Sequence, residues 1–200
     1  MNKRSRHNVN RNRFSMLFPI LTIVGIGIIV TLSSFYEKSW TYDWNGFSEI
    51  TKDSVLEMKK TGYTGGSGQD TKVYERLAKK RLWILNNATD KELLKLIKYP
   101  DGTVKAMGYE GLIRSDTFER RTDLILQSIT DNEYKVYYQM GCMGEEMAIS
   151  EYLIQFFLKI DTTIPPFPPE SIVDYGLSYS DKEKILTEFH NRKKNASNRD

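Results

Sequence analysis

The sequence predicts a mainly α protein, with one N-terminal transmembrane helix followed by a small antiparallel helical array. Three observations carry that expectation. Residues 14–36, FSMLFPILTIVGIGIIVTLSSFY, form a run of 23 without a charge. From Thr71 onward, apolar residues recur mostly at helical spacing rather than in alternation. At 89–92, 116–119 and 180–183, a Ser, Thr or Asp stands three residues before a Glu, the pattern of a helix start.

The segment from Phe14 to Tyr36 is read as the membrane span. At about 1.5 Å per residue it reaches roughly 35 Å, enough for a hydrocarbon core of about 30 Å. Pro19, Gly25 and Gly27 interrupt it, which a helix in lipid tolerates. The two glycines are two residues apart and do not share a face as a GxxxG pair does. Lys3, Arg4, Arg6, Arg11 and Arg13 precede the run with no acid among them, and Glu37, Lys38 and Asp43 follow it. These five cations set topology: the N-terminus is expected in the cytoplasm and residues 37–200 outside it. A cleaved secretory signal is the competing reading, with small residues at Thr31-Leu32-Ser33. Signal cores run to about 7–15 apolar residues, so the length favours an uncleaved signal-anchor.

Composition narrows the partners. The chain of 200 residues carries a net charge of +3, but residues 37–190 hold 20 Lys/Arg against 25 Asp/Glu, a balance of −5. A mildly acidic body argues against a nucleic-acid partner. The basic tail, residues 1–13, suits anionic lipid headgroups instead, so the bilayer is an expected partner. Cys142 is the single cysteine, which excludes an internal disulfide. Within MGCMG it reads as a buried structural thiol. A nucleophile needs a base, and both histidines, His7 and His190, lie in terminal segments.

The elements follow in order. Trp40, Tyr42 and Trp44 form either an interfacial aromatic belt or rings packed on the body. A helix is expected over Phe47–Thr61, closed by Gly62. Residues 62–70, GYTGGSGQD, are Gly-rich, yet Gln69 and Asp70 stand where a phosphate loop needs Lys and Ser/Thr, so a linker is expected. From Thr71, Tyr74, Leu77, Ala78, Leu82 and Leu85 share one helical face. Thr89 and Glu92 box the start of a short helix to Lys98, with Leu93, Leu94 and Ile97 apolar. Asp101 or Thr103 caps the next helix, whose Gly108 and Gly111 suggest close helix–helix approach. Asp116 to Glu119 starts another, carrying Phe118, Leu124, Ile125 and Ile129. Tyr134, Val136, Tyr138 and Met140 alternate and suggest a short extended stretch. Glu145–Ile160 reads as a long core helix. Residues 164–169 lie in a Pro-rich arm, and Ser180 to Glu183 caps a last helix to about Phe189. Residues 191–200 read as a disordered basic tail. The domain plan is therefore tail 1–13, span 14–36, juxtamembrane helix and linker 37–70, helical domain 71–190, and tail 191–200.

The stretch YPDGTVKAMGYEGLIR, residues 99–114, resembles the turn and second helix of a HEAT-type repeat. Pro100 and Asp101 stand for its turn, and Val104, Lys105, Ala106, Gly111 and Leu112 for its helix. The resemblance covers about one repeat, residues 72–130. It implies HEAT-like or armadillo-like packing of helix pairs.

No catalytic constellation emerges. A zinc site would need clustered ligands, and the paired acids Glu145-Glu146 read as residues of a first helical turn. Ser67 sits in a flexible GSG rather than a nucleophile elbow. Asn87-Ala88-Thr89 and Asn195-Ala196-Ser197 match the glycosylation acceptor, a pattern common by chance. No cofactor, no metal and no enzyme activity are expected. The reading is a single-pass membrane-anchored protein whose extracytoplasmic helical domain binds a protein partner, in a scaffold, adaptor or protective, immunity-type role. The alternatives are a structural subunit acting through its membrane helix and, less favoured, an extracytoplasmic enzyme.

Overall fold

A computed structural model describes residues 11–34, 36–61, 71–140, 143–161 and 174–197. The chain divides into two compact units, Met1–Thr41 and Tyr42–Asp200.

The first unit is built on α1, Arg11–Ser34, followed by a short 3₁₀ turn over Lys38–Thr41. Within α1, Leu17–Ser34 is long and apolar enough to cross a membrane, with none of it buried. Its hydroxyls bond within the helix: Thr22 Oγ1 donates to the Phe18 carbonyl and Thr31 Oγ1 to that of Gly27, both at 2.8 Å. Polar side chains satisfied this way add little cost in lipid. Of the five cations expected to set topology, Lys3, Arg4 and Arg6 lie outside the described residues, while Arg11 and Arg13 begin α1.

The second unit is helical with one hairpin. Its elements are α2 (Glu49–Thr61), α3 (Thr71–Asn87), α4 (Asp90–Leu96), α5 (Gly102–Arg114), α6 (Arg121–Thr130), β1 (Lys135–Met140), β2 (Met143–Ala148), α7 (Ile149–Glu151) and α8 (Tyr179–Ser197). A π-helical segment, Tyr152–Phe157, continues α7. The mainly α expectation holds, with a two-stranded sheet added.

Helix α5 is the centre. Residues Gly102 to Ile113 are all buried, and α5 touches α2, α3, α4, α6, β1, α7 and the π segment. Asp101 caps it, its carboxylate accepting from the Val104 amide at 3.1 Å. Gly108 lets α4 approach: a Cβ there would lie 2.9 Å from the Ile97 nitrogen and 3.0 Å from the Leu93 carbonyl. At Gly102 a Cβ would lie 1.8 Å from the Lys135 carbonyl, so β1 also requires glycine. Each fully buried Leu, Ile or Met here contributes about 1.5–3 kcal/mol of apolar transfer.

Local signals explain the flanks. Thr89 and Glu92 form the expected capping box on α4. Glu92 also accepts from the Ser48 amide at 2.9 Å, tying the start of α2 to α4. Burial alone would raise the Glu92 carboxyl, but hydrogen bonds from Thr89 and Ser48 outweigh it and hold the group below the usual range. Tyr42 and Trp44 pack on Tyr99 at 4.6 and 5.6 Å, whereas Trp40 is 65 % exposed. Tyr42 and Trp44 therefore follow the reading in which the rings pack on the body. The buried Tyr42 hydroxyl finds no hydrogen-bond partner among the described residues, and burial pushes its pKa to about 12.

Several expectations are corrected. Residues 143–148 form β2, antiparallel to β1 with Val136 opposite Met147, so Glu145 and Glu146 occupy a strand and not a first helical turn. The helix begins only at Ile149. Its π register, with the Leu158 amide donating to the Leu153 carbonyl at 2.8 Å, ends at Lys159, whose φ of 54° is left-handed. On α3, Ile84 is buried, while Ala78 and Leu82 face solvent. Asp116 to Glu119 caps nothing: α6 starts at Arg121, and Thr117 Oγ1 donates to Asp90 instead. The cap of α8 is Ser178, reciprocally bonded with Asp181, and the helix runs on to Ser197. The Gly-rich linker, Cys142 and the Pro-rich arm lie outside the described residues.

Candidate functional site

A cleft of about 600 Å³ opens where the ends of α3 and α5 meet the start of α4 and residues 174–176. Its walls are held by side chains whose partners are set locally. Asp90, the first residue of α4, accepts from the hydroxyls of Ser115 and Thr117, each at 2.8 Å. Arg121 folds back over the end of α5, donating from Nε to the Ile113 carbonyl at 2.9 Å and from Nη2 to that of Ser115 at 2.5 Å. These bonds occupy carbonyls a helix end otherwise leaves to solvent. Asn86, Arg114, Asp116 and Asp174 also line the cleft.

Behind the cleft lies a charge buried in α5. The Glu110 side chain is 0 % exposed and ion-paired with Arg81 of α3. The Tyr152 hydroxyl donates to its other oxygen at 2.6 Å, and Arg81 Nη2 reaches the same hydroxyl at 3.4 Å. A paired and hydrogen-bonded carboxylate is tolerated in a core; an isolated one is not. The π-helical segment Tyr152–Phe157 carries both Tyr152 and Phe157. Phe157 stacks with Tyr175 at 4.9 Å, and the Arg114 guanidinium lies 5.3 Å from its centroid. Burial raises the Tyr175 phenol, opposed by Arg114 and Arg81 and reinforced by Glu110. At pH 7 that phenol therefore stays a neutral hydrogen-bonding group at the cleft.

The other end of α5 carries the opposite charge. Lys105 Nζ donates to both Asp131 oxygens, at 2.8 and 2.6 Å, and lies over Tyr134 at 5.2 Å. The Tyr109 hydroxyl joins Asp131 at 3.3 Å, and burial beside that carboxylate raises its pKa.

Both buried charges are satisfied inside the fold, and the cleft offers a guanidinium, carboxylates and an amide to an incoming surface. Among the described residues no three His, Cys, Asp or Glu gather as a metal site requires. Sequence reasoning missed Arg81, Glu110, Arg114, Tyr152 and Tyr175. One signal was available: glycines and apolar residues surround α5, leaving Lys105 and Glu110 no solvent face. Comparison with family models, with characterised proteins and with solved structures finds no match.

Proposed function

We propose that this chain is a single-pass membrane-anchored recognition protein, its helical body outside the cytoplasm and its partner a protein engaged through the cleft at the end of α5. The observation that carries the reading is the cleft itself: about 600 Å³, mixed in charge and backed by the braced Arg81–Glu110–Tyr152 cluster. Preformed walls lower the entropy lost on binding. The apolar span Leu17–Ser34 supports anchoring, and the cations before it support a cytoplasmic N-terminus. The close α4–α5 pair at Gly108 supports a HEAT-like helical unit, a type of packing that offers grooves to proteins.

The test is affinity capture from detergent-solubilised native membranes. The baits are the full chain, residues 42–200, and both with Arg114→Glu or Asp116→Lys. The reading expects one partner with both lengths of bait, weakened roughly tenfold or more by either substitution, with thermal unfolding unchanged. A partner recovered only by the full chain, indifferent to the cleft substitutions, overturns it. That outcome favours a structural subunit acting through α1, whose span leaves its side chains free for a neighbouring helix.

A further inference from the structure

A second, smaller pocket of about 280 Å³ lies between the end of α6, the hairpin and the C-terminal half of α8. We infer that it binds a small carboxylate joined to an apolar chain. The inference is independent of the cleft and goes beyond the protein-recognition reading.

Three observations converge on it. Ser150, 4 % exposed, lines the pocket and presents its hydroxyl there. A helical serine usually satisfies itself on the carbonyl one turn earlier. Ser150 is the second residue of α7, and the residues before it are strand, so that carbonyl is not presented. The hydroxyl is therefore available to donate to a ligand oxygen in the pocket.

The charge around the pocket is positive in a body that is negative overall. Lys135, Arg192 and Lys193 line it, against Glu151 alone. Both Glu151 oxygens are engaged, one by Lys193 at 3.1 Å and the other by the Ala148 amide at 3.2 Å. Arg192 also bonds the Asn132 amide oxygen, which orients the guanidinium. A carboxylate arriving here meets charge-assisted donors, the stronger class of hydrogen bond.

The remaining wall is apolar, made by Ile129 at 1 % exposure and Phe189 at 3 %. At about 30 Å³ per water-sized group, the volume holds roughly nine such groups. That matches a carboxylate with a short alkyl chain. Inorganic anions would leave the apolar wall unfilled, and an alcohol would bring no counter-charge to Lys135 and Arg192.

The test is an amide-shift titration of the full chain in zwitterionic nanodiscs, with hexanoate, 1-hexanol and acetate as probes. Hexanoate is expected to saturate shifts at Lys135, Ser150 and Phe189. Hexanol and acetate should each bind at least about tenfold more weakly, as befits losing the charged or the apolar contact. Arg192→Gln should weaken hexanoate by about tenfold with the spectrum otherwise preserved, since Arg192 lies at the surface end of α8. Hexanol binding as tightly as hexanoate, shifts that never saturate, or Arg192→Gln binding as the parent does would each overturn the inference.

Discussion

In α1, a Cβ built on Gly25 or Gly27 meets no atom within 4 Å; in α5, one built on Gly108 comes within 2.9 Å of Ile97. Both helices are largely apolar, and both hold glycines, two in α1 and three in α5. The difference lies in what covers them. Among the described residues the span of α1 has no charge and is not buried, and it is long and apolar enough to cross a membrane. Helix α5 is covered by seven neighbouring elements and encloses two charges, each answered by a partner on another element. Glycine frequency alone does not separate these cases. The charges do, because a buried Lys or Glu needs a protein partner at a fixed place.

The sharpest way to break the comparison is to strip α5 of one such partner. Arg81→Met leaves Glu110 buried with only the Tyr152 hydroxyl, and should destabilise the body by about 3 kcal/mol. Denaturant melts of residues 42–200 would show it. A loss below about 1 kcal/mol would mean that Glu110 is not confined as described. Next comes Gly108→Ala. Overpacking against the α4 backbone costs about 1–3 kcal/mol, offset by about 1 kcal/mol of helix propensity, for a net loss of up to about 2 kcal/mol.

Glu92→Gln probes the same body from its edge. Two backbone amides, Thr89 and Ser48, lose a charged acceptor, and about 1 kcal/mol should go with it. The sign with pH follows from the lowered carboxyl. Its folded pKa lies below the unfolded value of about 4.3, so its stabilisation is present above that pH and lost as pH falls through the folded value. The Gln variant should therefore show a flatter acid limb in a pH series of melts. The smallest effect belongs to α1. Gly25→Ala with Gly27→Ala should leave membrane retention and body stability unchanged within about 0.5 kcal/mol, because nothing packs on either glycine.

The sequence made some of this architecture legible through side chains that act on their own backbone. The Thr89–Glu92 box and the Asp101 cap are local, and both stand where expected. The alternation from Tyr134 to Met140 marked β1. Its partner was hidden. MGEEMA has no β-branched residue, and two adjacent acids resemble a first helical turn, so only pairing with β1 makes it a strand. The box misread at 116–119 lies in a loop: Thr117, its second residue, donates its hydroxyl to Asp90, and α6 starts only at Arg121. The cleft was the least legible part. Arg81, Glu110 and Tyr152 are 29 and 42 residues apart along the chain, and nothing local links them.

The most direct test of the proposal that α1 is covered by lipid, as α5 is by protein, is alkaline carbonate extraction of membranes from cells producing the full chain, with intact mass read on each fraction. The account predicts that the chain stays in the membrane pellet at full length, and that residues 42–200 made alone stay in the supernatant. Full-length chain in the supernatant, or a mass showing cleavage near Thr31-Leu32-Ser33, would contradict it.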